Sequence, residues 1–124
     1  MAIPFRVSIN GTTGTSVPFI VNQHVAPVNL GVGVYQSGGT GMYVVQHTFD
    51  DYWRRDSAGQ RMYADVTAFA SAARWNNHAT LTSLTSTADG NYAFPPLAVR
   101  LNVVSAAGTT NFEMVIVPAG IAGN

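Results

Sequence analysis

The chain has 124 residues, enough for one domain with its own core, and 47% of them are hydrophobic against 10% charged, which excludes a disordered charged tail. Six arginines, no lysine, five aspartates and one glutamate give a formal net charge of zero, so repulsion between copies is weak and nothing in the overall charge draws the chain to nucleic acid. Without cysteine there is no disulfide, thiol nucleophile or thiolate metal site.

From the amino terminus, Phe5, Val7 and Ile9 alternate with Arg6, Ser8 and Asn10, the pattern of a strand with one apolar face, and Asn10-Gly11 then signals a turn. Thr12 to Ser16 is small and polar. Val17 to Val21 predicts a short strand, placed at a sheet edge because Pro18 has no amide hydrogen for a ladder. After the polar break Asn22-Gln23-His24, residues Ala26, Val28, Leu30, Val32 and Val34 share one face of a strand running to Tyr35, and Gly31 and Gly33 on the other face mark a bulge or a close approach of backbone. Ser37 to Gly41 is a glycine-rich turn; it has neither the spacing nor the lysine of a phosphate-binding loop. Met42 to Asp50 follows as a strand with Tyr43, Val45, His47 and Phe49 on one face.

The segment 52–77 breaks this periodicity. It holds both tryptophans and four of the six arginines. Asp65 is placed to cap a short helix reaching toward Arg74, with Val66, Phe69, Ala70 and Ala73 on one face. Such an insertion either covers one end of the core or forms a contact surface. Beyond it, Leu81 and Leu84 give weak periodicity, Asp89-Gly90-Asn91 reads as a turn, and Pro95-Pro96 disfavours helix. Two further strands follow: Leu97 to Val104, with Leu97, Val99, Leu101 and Val103 on one face, and a last one with Phe112, Met114 and Ile116. Seven or eight strands in 124 residues predict a single all-β domain, a β-sandwich or jelly-roll-like structure with a short irregular or helical insertion at about 52–77.

No set of catalytic groups converges in the sequence. His24, His47 and His78 lie 23 and 31 residues apart, outside any local metal-ligand motif, and His47 is expected to pack among aromatic rings. Asp50 and Asp51 point to opposite sides of a strand and make a polar strand end rather than an acid/base pair. Serine, histidine and aspartate are present without a GxSxG elbow. The expectation is therefore a protein that is not an enzyme, with no cofactor and no metal. Arg54, Arg55, Arg61 and Arg74 interleave with aromatic rings, a pattern that fits phosphate and base contact. Asp51, Asp56 and Asp65 intervene, however, so protein contact is the better reading and no sequence-specific nucleic acid is expected. No apolar run is long enough for a membrane helix, and the first residues lack a signal peptide, which predicts a soluble protein, cytoplasmic at synthesis.

Four stretches, Gly39 to Asp51, Ala73 to His78, Ala88 to Tyr92 and Pro96 to Val103, resemble small structural proteins encoded in tailed-bacteriophage genomes. The shared pattern is a glycine-rich turn leading into a strand that ends in threonine, an aromatic and paired aspartates, then a tryptophan-histidine element, a turn and an arginine-bearing strand. This chain departs from the simpler members by carrying Tyr52 to Ala72 between Asp50-Asp51 and Trp75. The resemblance implies a virion component on the capsid exterior, a decoration or cement protein that binds the major capsid protein as a homo-oligomer, with a trimer among the candidate states. A tail- or fibre-associated carbohydrate-binding module is the alternative. The residues expected to make partner contacts are Tyr52, Trp53, Arg54, Arg55, Arg61, Tyr63 and Trp75.

Overall fold

A computed structural model of the chain describes residues 4–21, 29–94 and 96–118. His24, Ala26, Val28 and Pro95, which figure in the sequence reading, lie outside the described residues. Strands form where apolar residues alternate: β1 (Phe5–Asn10), β4 (Leu30–Ser37), β5 (Gly41–Thr48), β8 (Ala98–Ala106) and β9 (Asn111–Pro118). Shorter pieces complete them: β2 (Gly14–Thr15), β3 (Phe19–Ile20), β6 (Asn76–Asn77) and β7 (Ala88–Tyr92). The helix α1 (Val66–Ala72) starts where Asp65 accepts a hydrogen bond from the Ala68 amide at 2.8 Å.

Two antiparallel sheets result, ordered β1-β9-β4-β7 and β2-β8-β5-β6, with β3 also paired to β8. With β2 and β3 taken as two pieces of one interrupted strand, the chain pairs from its ends inward. β1 meets β9, β2 and β3 meet β8, β4 meets β7, and β5 meets β6. This is jelly-roll connectivity, a long antiparallel hairpin rolled into a sandwich. Facing side chains fill the interior: Leu30, Val32, Val34, Phe112, Met114 and Ile116 from the first sheet, and Tyr43, Val45, Val99, Leu101 and Val103 from the second. Each is at least 97% buried, and full burial of such a side chain stabilises by roughly 1.5–3 kcal/mol.

The expected turn at Asp89-Gly90-Asn91 is instead the middle of β7, paired with Gly33, Val32 and Gly31. β7 is an edge strand, so Asp89 and Asn91 stay in water on its outer face. Gly90 faces inward, where a Cβ would stand 3.2 Å from Leu81 Cδ1 and 3.4 Å from His78 Cε1. Turn-forming residues are thus used here for solvation and close approach. Gly31 and Gly33 keep an unbroken register with both neighbours, so they mark no bulge. The register shift falls elsewhere, between Met42 and Tyr43 opposite Ser105 and Val103. Leu81 and Leu84, weakly patterned in sequence, bond along β5: Val45 N to Leu81 O at 2.8 Å and Tyr43 N to Leu84 O at 2.9 Å. Leu81 is thereby held in the core.

The insertion between β5 and β6 covers a sheet face rather than an end of the core. Val44, Gln46 and Thr48 of β5 stand opposite Asn102, Arg100 and Ala98 of β8, all on the side turned away from the first sheet. Arg100 there donates to Ala70 O of α1 at 3.4 Å and carries the Trp75 ring 4.2 Å above its guanidinium carbon. Val44, Thr48 and Ala98 on this same face are buried.

Candidate functional site

The insertion is tied at its neck by charge. Asp50, just past β5, accepts hydrogen bonds from Arg74 Nη2 at 2.6 Å, Arg74 Nε at 3.3 Å and the Arg74 backbone amide at 2.7 Å. Those bonds, the side-chain ones first, hold the Asp50 carboxyl below the usual carboxylate range. Asp51 closes a turn by accepting the Trp53 amide at 2.9 Å. The sequence placed two aspartates at a polar strand end, and each proves to be a backbone anchor.

Beyond the neck the chain rises as a hairpin-like arm. Arg55 and Arg61 form a bridge, and Met62 N donates to Arg54 O at 3.0 Å. The arm's tip is fixed by Asp56, whose Oδ1 accepts from the amides of Ala58 at 2.9 Å and Gln60 at 3.0 Å. Asp56 N donates to Gln60 O at 2.8 Å, and Arg55 Nη1 reaches Gly59 O at 2.8 Å. Such side-chain-to-backbone bonds are what aspartate supplies in turns. Residues 53–62 are all exposed, including the large apolar side chains Trp53 at 58% and Met62 at 47%.

The seven residues singled out from sequence fall into two groups. Tyr52, Tyr63 and Trp75 are half-buried around Phe69, with ring centroids 5.5, 5.0 and 6.1 Å from it in edge-to-face geometry. Phe69 is fully buried, so this is a small second core beneath the arm. Trp75 also donates from Nε1 to Ala70 O at 3.0 Å. Trp53, Arg54, Arg55 and Arg61 lie outside that core, exposed along the arm. Arg61 packs over the Tyr52 ring at 4.7 Å and the Trp53 ring at 5.1 Å, and the two rings meet edge to face at 4.8 Å. Arg61 therefore joins the second core to the arm.

Sequence reasoning missed Met62 and Arg100. Met62 carried no signal. Arg100 did, as a lone charge in the middle of an apolar strand; in the structure it stands opposite Gln46 and donates to its Oε1 at 2.9 Å, and burial pushes its pKa down from the ordinary arginine value.

The histidines are engaged in packing. His47 is buried among Tyr92, Phe49 and Phe94, with centroids at 5.0, 5.4 and 5.3 Å, and its Nδ1 is 3.0 Å from Tyr92 Oη. His78 accepts at Nδ1 from the amides of Thr80 and Leu81, both at 3.1 Å, and donates from Nε2 to Asn91 O at 2.9 Å. Among the described residues, no three of His, Cys, Asp and Glu stand together as a metal-ligand group, and no helix is long and apolar enough to cross a membrane. Phe49 and Phe94 lie 5.9 Å apart and largely exposed beside the neck, where Phe49, Asp50, Arg74 and Asn76 line a cleft of about 280 Å³.

No family model matches the chain, and no curated protein matches it. Among solved structures it is similar to the crystal structure of SPBc2 prophage-derived protein YomS, at 16% sequence identity and a TM-score of 0.44, over 94% of this chain and 96% of that one.

Proposed function

We propose that the protein is a noncatalytic structural subunit that docks on a larger protein assembly through the arm 53–62. The observation that supports this reading is the exposure of Trp53, Arg54, Arg55 and Met62 on a loop whose neck, turn and base are already fixed by internal bonds. A loop ordered before binding loses little conformational entropy on docking, so apolar burial and guanidinium bonds count more fully toward affinity. Tryptophan and arginine are also the side chains that most often dominate interface energy. With Asp51 and Asp56 engaged in backbone turns, Arg54 and Arg55 suit a partner surface with carboxylates around an apolar recess.

The sequence resemblance to tailed-phage structural proteins suggests the partner. In this reading the protein decorates or cements the capsid exterior by bridging subunits of the major capsid protein, in several copies and with a trimer as the candidate state. Contact of about 800 Å² per partner would suit a specific interface. Co-sedimentation with particles that lack the protein tests it: Trp53→Ala and Arg54→Ala, checked as folded by circular dichroism, should bind at least about tenfold more weakly. Wild-type affinity in both variants would reject the arm as the attachment surface, and native mass measurement would decide the copy number.

A further inference from the structure

The outer face of the first sheet is turned away from the insertion and has a different chemistry. β4, β9 and β1 lie side by side there, and their register sets two neighbouring rows of outward side chains. One row is Tyr35, Glu113 and Ser8; the next is Ser37, Asn111 and Asn10. Between them runs a shallow groove of about 330 Å³, floored at Phe112, whose ring is buried in the core. That volume falls near the lower end of ligand sites, roughly 300–1,000 Å³.

The position of Tyr35 leaves the groove open. Its ring lies back along its own strand over Gly33, with Cε2, Oη and Cζ within 3.4 to 3.6 Å of where a Gly33 Cβ would stand. Glycine is what lets an aromatic ring rest on the sheet at this point. Tyr35 is nonetheless 56% exposed, so an aromatic surface is offered to solvent at the groove's edge.

The remaining lining is two hydroxyls, two carboxamides and one carboxylate. Glu113 has its counterion at hand, with Arg6 Nη1 3.7 Å away, so the groove offers hydrogen-bond donors and acceptors with little net charge. A saccharide presents the complementary set, an apolar C–H face for the ring of Tyr35 and hydroxyls that both donate and accept. We infer that this groove, formed by Ser8, Asn10, Tyr35, Ser37, Asn111 and Glu113, is a binding site for a neutral saccharide. It lies on the opposite side of the sandwich from the arm, so one molecule can attach by one face and present the other.

Titration of the isotope-labelled isolated protein with glucose, galactose, mannose, N-acetylglucosamine and their disaccharides, followed by amide NMR shifts, tests the site. The expected result is saturable movement of the Ser8, Ser37, Asn111 and Glu113 amides by at least one of these sugars, while the amides of 53–62 stay in place. Tyr35→Ala should weaken that binding by about tenfold, and Tyr35→Phe, which keeps the ring, should hold it within about twofold. Tyr35 is a surface side chain, so both variants should fold. Absence of movement at these amides with every sugar, or affinity unchanged in Tyr35→Ala, would overturn the assignment.

Discussion

Asp50 and Arg74 face each other across the neck of the insertion, 24 residues apart in the chain and joined through three hydrogen bonds, one of them from the Arg74 backbone. The bonds fasten the end of β5 to the start of β6, so everything between is a closed loop. Arg74→Ala keeps the backbone bond and removes the other two. Hydrogen exchange should then quicken through 51–62 while β4, β8 and β9 keep their protection. Uniform protection across the arm in this variant would show that the neck bonds do not order it.

Phe69 is the centre of the second core, and its loss should be felt locally as well as globally. Phe69→Ala leaves a void among Tyr52, Tyr63 and Trp75, and a fully buried phenylalanine of this kind costs about 3–5 kcal/mol on truncation. Chemical denaturation would measure it. A cost under about 1 kcal/mol would mean that the insertion contributes little to the stability of the sandwich.

His47 predicts an acid sensitivity. Burial, and secondly the charge on His78, lower its pKa from the ordinary 6.5, so the folded state favours neutral imidazole. The unfolded chain then binds the proton more readily. Stability from this group is full above pH 6.5 and falls as pH drops below it toward the lower folded value. The melting temperature should therefore fall between about pH 7 and pH 5. His47→Gln, which keeps a hydrogen-bonding side chain near Tyr92 and has nothing to titrate, should flatten part of that slope. An identical slope in the variant would assign the effect to other groups.

Gly90 is predicted to resist substitution although it sits in an edge strand. A methyl there meets Leu81 at 3.2 Å and His78 at 3.4 Å, and displacing them disturbs a buried leucine and a histidine whose bonds span two segments. Gly90→Ala should cost about 1–3 kcal/mol, whereas Asp89→Ala, on the outer face, should stay within about 0.5 kcal/mol. Equal costs at both positions would refute the close-approach explanation.

The strands and the domain class were written in the chain itself. Val99, Leu101 and Val103, or Phe112, Met114 and Ile116, alternate because a sheet has two faces, and alternation survives in sequence as a period of two. The capped helix at Asp65 was legible for a similar reason, since the cap and the helix lie within one local segment. Long-range placement decided the rest. Asp89-Gly90-Asn91 forms a strand because Gly31 and Gly33 of β4, 60 and 56 positions away from their partners Asn91 and Asp89, offer it pairing, and because Leu81 needs the space that Gly90 leaves. Trp53 and Trp75 are one residue type in one segment, yet Trp75 packs on Phe69 and Arg100 while Trp53 stands in water. Only the fold of the insertion onto the outer face of β5 and β8 separates them, because burial is a property of neighbours in space.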